Sequence, residues 1–200
     1  LEYSLPFVSI FASRLAFIIY AIAACFGCYG LLMRFDEYVN TLPRFFSFDG
    51  IFIYSVIIIC LKLVHEFAHS YTAKHYGVRI PTMGAAFIVM WPVAFSDVTD
   101  AWRLSNRRQR FMISAAGVIS ELCIGAVALF CWQLSAPGIW QSIFFVLSSV
   151  TIISTILMNL NPAMRFDGYY MLIDLLEIDN LQSRAFEYTK WLYRKIILGF

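Results

Sequence analysis

The sequence predicts an all-α membrane protein with about four transmembrane helices, an extended or hairpin segment between the second and third, and a C-terminal interfacial helix. Three observations predict it. Of 200 residues, 60% are hydrophobic and only 14% are charged, whereas a soluble domain carries roughly 25% charged residues. Four stretches approach the run of about 20 mostly apolar residues needed to cross a bilayer. A further uncharged run, residues 80–96, is interrupted by Pro81, Gly84 and Pro92, which a straight spanning helix would not keep. The same composition, with a formal net charge of only +2, excludes a cytosolic globular enzyme, a disordered tail and a nucleic-acid partner.

The first span covers Leu15 to Met33 and carries no charge. The second runs from Gly50 to Ala73. Its first half is lipophilic, whereas its second half contains Lys62, His65, Glu66 and His69. Phe111 to Trp132 forms the third, interrupted only by Glu121, and Ile139 to Asn159 the fourth, ending where Asn161-Pro162 withdraws a backbone donor. Phe166 to Ile178 reads as a short helix bearing Asp167 and Asp174. Residues 181–200 mix Phe186, Trp191, Leu192 and Ile196 with Arg184, Lys190, Arg194 and Lys195, the pattern of an interfacial amphipathic helix. The five cysteines all lie in apolar stretches and read as small apolar residues, not as a disulfide framework. Residues 1–200 read as one polytopic domain, and the start at Leu1 without a methionine leads us to expect a segment of a longer chain.

Basic residues orient the spans. Lys74, Arg79, Arg103, Arg107, Arg108 and Arg110 follow the second span, and Arg165, Arg184, Lys190, Arg194 and Lys195 follow the fourth. The opposite side has Arg34 and Arg44. The positive-inside rule therefore places the basic side, with both chain ends, in the cytoplasm.

His65-Glu66-Phe67-Ala68-His69 is an HExxH motif. Four residues of helix turn through about 400°, so both imidazoles project from one face. Two neutral imidazoles suit zinc, and Glu66 lies beside them to take a proton from a water. At this chain's own His and Glu frequencies, about one such chain in a thousand would contain the motif by chance. A hydrogen-bonded polar cluster is the plain alternative. Against it, three ionisable groups inside a hydrophobic span cost on the order of several kcal/mol each unless partnered or functional. Hydrolytic zinc usually takes a third protein ligand. Asp97, Asp100, Glu121, Asp167 and Asp174 are the acidic candidates, and Asp97, Asp100 and Asp167 share the cytoplasmic side with the histidines.

HEFAH in a membrane helix, followed by Asn159-Leu-Asn-Pro162-Ala-Met-Arg-Phe-Asp167-Gly168, resembles the site-2 protease family of intramembrane zinc metalloproteases. That family pairs an HExxH helix with an N-x-x-P…DG motif, and here Asp167 comes 98 residues after His69. The resemblance implies His65, His69 and Asp167 as ligands of one Zn2+ per chain, with Glu66 as catalytic base. It further implies a membrane protein or peptide substrate and a multi-pass position in the bacterial inner membrane. Two positions depart from the family pattern: Ala68 stands where glycine is frequent, and Gly117-Val-Ile-Ser-Glu121 replaces a G-P-x-x-N stretch. The region from Phe95 to Trp102 resembles a branch embedded in longer bacterial proteins that accompany secretion or efflux systems, so further domains or complex partners are expected.

Gly117, Glu121 and Gly125 recur every four residues on the third span, which suits close helix approach and turns Glu121 inward. Its carboxyl reads either as a satisfied packing group or as a proton relay or substrate contact. Thr151, Thr155 and Asn159 share a face suited to interhelical hydrogen bonds, and Asn159 is a candidate for holding substrate or water. Lys62 is expected to snorkel, and His75 to be interfacial. Residues 80–96, with Gly84 among them, are the candidate substrate-binding segment, capturing an unwound helix by strand addition. The predicted activity is hydrolysis of peptide bonds in a membrane-embedded or membrane-associated substrate. The alternatives are a non-catalytic zinc-binding component of a secretion or efflux assembly and, last, a metal-ion transporter. A scaffold has no use for a glutamate between the histidines, so Glu66 discriminates.

Overall fold

The computed structural model describes residues 4–41, 48–88 and 91–199. Arg44, used above for orientation, lies outside the described residues, as do residues 89–90 of the 80–96 segment and the last residue of the 181–200 helix. In chain order the elements are α1 (Leu5–Phe11), α2 (Arg14–Met33), α3 (Phe35–Val39), α4 (Phe48–His75), β1 (Met83–Ile88) and β2 (Trp91–Ser96). A 3-10 turn (Thr99–Arg103), α5 (Arg107–Leu134), α6 (Ile139–Ile153), a π-helical turn (Ser154–Asn159), α7 (Asp167–Leu176) and α8 (Leu181–Leu198) follow.

Local chemistry accounts for the helix starts. Ser13 Oγ accepts the Ala16 N–H at 3.2 Å, and Asn106 Oδ1 accepts the Arg108 N–H at 3.0 Å, each satisfying an otherwise orphaned first-turn donor. Pro6 sits in the first turn of α1, where its missing N–H costs nothing. The short helices α1 and α3 flank the first span and have no counterpart in the sequence reading.

Among the described residues, four helices are long and apolar enough to cross a membrane: Arg14–Met33, Gly50–His75, Arg107–Leu134 and Ile139–Asn159. These are the four expected spans. Burial follows lipid solvation, with polar groups inside and large apolar ones outside. Glu121, Ser148, Thr151 and Thr155 are fully buried, while Leu15, Phe52 and Leu32 are 69–78% exposed. In water such an apolar surface would drive aggregation; in a bilayer it is solvated. The protein is a membrane protein.

Helix α5 is the inner element, with Trp132, Ile113 and Glu121 fully buried. Trp132 joins Leu61 of α4 and Phe145, Val146 and Val150 of α6 in one apolar cluster. Gln133 Nε2 donates to the α2 carbonyls of Phe26 at 3.0 Å and Gly27 at 2.8 Å, tying α2 to α5. The second cluster, Ala73, Val78, Ala101 and Ile113, lies at the end of α4 that carries the histidines.

Residues 83–88 and 91–96 form the paired strands of the expected hairpin. β1 and β2 pair antiparallel, from Met83 opposite Ser96 to Ile88 opposite Trp91. Pro92 pairs with Phe87, and a two-stranded ribbon tolerates its missing donor because every strand is an edge. α7 is fastened to α5 by Arg110 Nε, which donates to Asp174 Oδ1 at 2.8 Å, and by the Arg107–Glu177 ion pair. α8 is exposed along nearly all its length, with Lys195 Nζ 4.9 Å above the Trp191 ring.

Candidate metal centre

His65 and His69 lie one turn apart near the C-terminal end of α4, and both are buried. Asp167 opens α7, directly after the chain has turned at Asn161-Pro162. The turn is tight. A Cβ on Gly168 would lie 2.6–2.7 Å from the Leu160 backbone, so only glycine allows Asp167 to be carried back under α4. Upstream, the π-helical turn widens the end of the fourth span, where the Leu160 N–H reaches Thr155 O at 2.8 Å.

The three side chains converge. One ligand atom from each of His65, His69 and Asp167 lies within 4.8 Å of the others. The two Nε2 atoms are 3.1 Å apart, and Asp167 Oδ2 is 3.0 Å from His65 Nε2 and 3.3 Å from His69 Nε2. Ligand atoms held tetrahedrally at about 2.0–2.1 Å from zinc sit about 3.3 Å from one another, so the triangle fits with little adjustment.

Two further observations support the fit. His69 Nδ1 is 2.7 Å from the Ile113 carbonyl oxygen, which can only accept, so Nδ1 carries the proton and Nε2 presents a lone pair. Asp167 Oδ2 is buried without a hydrogen bond although it faces both rings. Converging lone pairs that find no proton are what a cation satisfies. The space for it is kept by Gly117: a Cβ there would fall 2.5 Å from His69 Nε2 and 2.6 Å from His65 Nε2.

The other acidic candidates are engaged elsewhere. Asp174 pairs with Arg110 at 2.8 Å and Asp100 with Arg103 at 3.4 Å. Asp97 Oδ1 accepts the Thr99 N–H at 3.0 Å, and the Thr99 side chain and amide hold its carboxyl below the ordinary value.

Glu121 is buried beside the triangle and outside it. Its Oε1 lies 2.6 Å from Lys62 Nζ and 2.9 Å from His65 Nδ1, and its Oε2 accepts from Thr155 Oγ1 at 2.6 Å and Asn159 Nδ2 at 2.9 Å. The expectation that Lys62 snorkels is therefore corrected: the buried carboxylate of the third span draws its ammonium inward. Thr151 is corrected as well. It donates to Leu147 O of its own helix at 2.7 Å and makes no interhelical bond among the described residues, because the neighbouring position on α5 is Gly125, which offers no side chain. The Asn159 amide donates to Glu121. His75 ends α4 and stacks edge-on to Tyr76, apart from the triangle.

Glu66 faces a cavity of about 300 Å³ that His69, Asp167, Ser96, Trp102 and Tyr170 also line. Ser96 Oγ, at the end of β2, donates to Glu66 Oε2 at 2.7 Å. Sequence reading missed this contact and the cradle role of Gly117. No local spacing marks Ser96, and Gly117 showed itself only as part of a small-residue stripe. Gly84 lies on β1, exposed and against the Phe95 ring, away from this cavity.

Two imidazoles and a carboxylate around one point, with a glutamate in the adjoining cavity, are a donor set that could hold a metal ion in a membrane protein. The comparisons support the site-2 protease family: the model of Peptidase family M50 matches residues 52–149. It is 28% identical over 164 residues to the Bacillus subtilis (strain 168) protein named "Putative peptide zinc metalloprotease protein YydH", an alignment covering 80% of this chain and 62% of that protein. It is also 27% identical over 95 residues to an uncharacterized protein of Methanocaldococcus jannaschii, covering 42% of this chain and 26% of that one. The chain thus spans less than two thirds of either relative. No solved structure matches it. That family is one of metalloproteases, and the likeness implies a metal.

Proposed function

We propose that this chain is an intramembrane zinc metalloprotease that hydrolyses peptide bonds of a membrane-embedded or membrane-associated substrate. The convergence of His65 Nε2, His69 Nε2 and Asp167 Oδ2 beside a cavity that also contains Glu66 carries the reading. The three side chains would hold one Zn2+, which when bound supplies a Lewis acid for the scissile carbonyl and lowers the pKa of water towards about 7.

The remaining chemistry falls to the chain's own residues. Glu66 takes the proton of the attacking water and returns it to the leaving amine nitrogen. Ser96 orients that carboxylate through its hydroxyl. Lys62, four residues before Glu66, is paired with Glu121 and not with Glu66. The Ile113 carbonyl fixes the His69 tautomer. Trp102 and Tyr170, edge-on at 6.1 Å, wall the cavity with apolar rings.

A transmembrane substrate hides its peptide bonds in helical hydrogen bonds and must be unwound before cleavage. Among the described residues β1 pairs only with β2, so its outer edge offers backbone groups to an extended segment. The distribution of basic residues supports a site towards the cytoplasmic face, and the family resemblance supports the bacterial inner membrane as its location. α8 lies along that interface, with its lysines and arginines at the headgroups. A zinc-binding scaffold would leave Glu66 without a purpose in the cavity.

The test is Glu66→Gln in detergent-solubilised full chain, with zinc content and cleavage of a membrane-anchored substrate measured together. Full zinc content and at least a hundredfold loss of cleavage are expected. A variant as active as wild type refutes the hydrolase reading.

A further inference from the structure

We infer that Glu121 is the positioning residue of His65: its carboxylate holds the ring so that Nε2 points at the metal site. The inference rests on the metal centre proposed above and assigns a function to a position where this chain departs from the family pattern.

Glu121 has no solvent exposure and lies in the middle of a membrane-spanning helix. An ionised carboxylate there persists only with partners that offset its desolvation. It has four, and they divide between its two oxygens. Thr155 and Asn159, on the fourth span, both donate to Oε2. A glutamate that merely joined α5 to the fourth span would need nothing more. Its Oε1 instead faces α4, 2.6 Å from Lys62 Nζ and 2.9 Å from His65 Nδ1.

Lys62 and His65 are one turn apart on α4, so a single oxygen reaches both. Lys62 supplies the counter-charge, and His65 is the group that is oriented. The two histidines are therefore held by different partners: His69 by a neutral backbone carbonyl of Ile113, and His65 by a side-chain carboxylate. A carboxylate on the far nitrogen fixes the tautomer, restrains ring rotation and strengthens the ligating nitrogen. The contact is close but not yet aligned, since His65 Nδ1 makes no hydrogen bond.

The experiment measures zinc affinity of the full chain in detergent by chelator competition, with Co2+ absorption as a second readout. Glu121→Gln is expected to weaken zinc by about 10–100-fold and to shift the Co2+ bands. In a His65→Ala background the same substitution should change the residual affinity by less than about twofold, because the two groups act as one unit. Equal losses in both backgrounds, or a lower unfolding temperature with unchanged zinc affinity, overturn the inference. Histidine-selective 15N spectra of the zinc-loaded wild type keep it testable if Glu121→Gln does not fold. They should show His65 protonated at Nδ1 and metallated at Nε2, and metal on Nδ1 overturns it. Wild-type zinc affinity in His65→Ala would instead bring down the metal-centre reading itself. Absence of proteolysis affects neither measurement.

Discussion

Gly117→Ala probes the centre with a single methyl group. A Cβ at this position would lie 2.5 Å from His65 Cε1 and His69 Nε2 and 2.6 Å from His65 Nε2, whereas ordinary contact begins at 3.4 Å. The rings must therefore retreat by about 0.9 Å, the difference between ordinary contact and the 2.5 Å available, or α5 must move away from α4 by the same distance. Metal-site ligand distances tolerate about 0.2 Å, and a misplacement near 1 Å costs about a hundredfold in rate. The methyl would also fill the space beside both Nε2 atoms that an ion needs. Helix propensity works in the opposite direction, since alanine favours a helix interior over glycine by about 1 kcal/mol. Secondary structure should therefore survive while zinc is lost. The assay is zinc stoichiometry and chelator competition, with far-ultraviolet circular dichroism as the check on folding. Gly125→Ala is the control two turns further along α5: its Cβ would meet Thr151 Cγ2 at 2.7 Å, so it should lower thermal stability but leave zinc affinity intact. Gly117→Ala with wild-type zinc affinity would refute the assigned position of the ion.

Asp167→Ala should abolish stoichiometric zinc binding, as measured by metal analysis of the purified protein, and removal of metal by a chelator should end cleavage until zinc is restored. Gly168→Ala should do so indirectly by pushing α7 off the Leu160 backbone, with a loss of at least tenfold in zinc affinity. Arg110→Ala leaves Asp174 buried without its cation and should cost about 3–5 kcal/mol, read as a lower unfolding temperature.

Much of the fold can be read directly from the chain because lipid imposes simple local rules. Each of the four spans announces itself by length and apolarity, and the prolines and glycine of residues 80–96 exclude a helix there before any coordinates are consulted. The HExxH pair is equally local, since helical pitch alone brings His65 and His69 to one face. Short helices such as α1 and α3 carry no comparable signal, because a single turn has no periodicity to detect.

The third corner of the triangle is different. Topology left Asp97, Asp100 and Asp167 equally eligible, and only resemblance to a known motif favoured the last. The structure separates them by pairing: Asp97 is taken by Thr99 and Asp100 by Arg103, while Asp167 is swung under α4 by the glycine beside it. The same holds for Lys62, whose partner on α5 is 59 residues away in sequence, and for Ser96, which meets Glu66 only because β2 packs on α4.

What the chain determined by itself is everything governed by short-range repetition: which segments enter the bilayer, and which two histidines share a helical face. What only the tertiary structure decided is every pairing between elements. Those contacts depend on the rotation and axial offset of one helix against another, which arise from packing of the whole bundle and leave no trace in residue spacing.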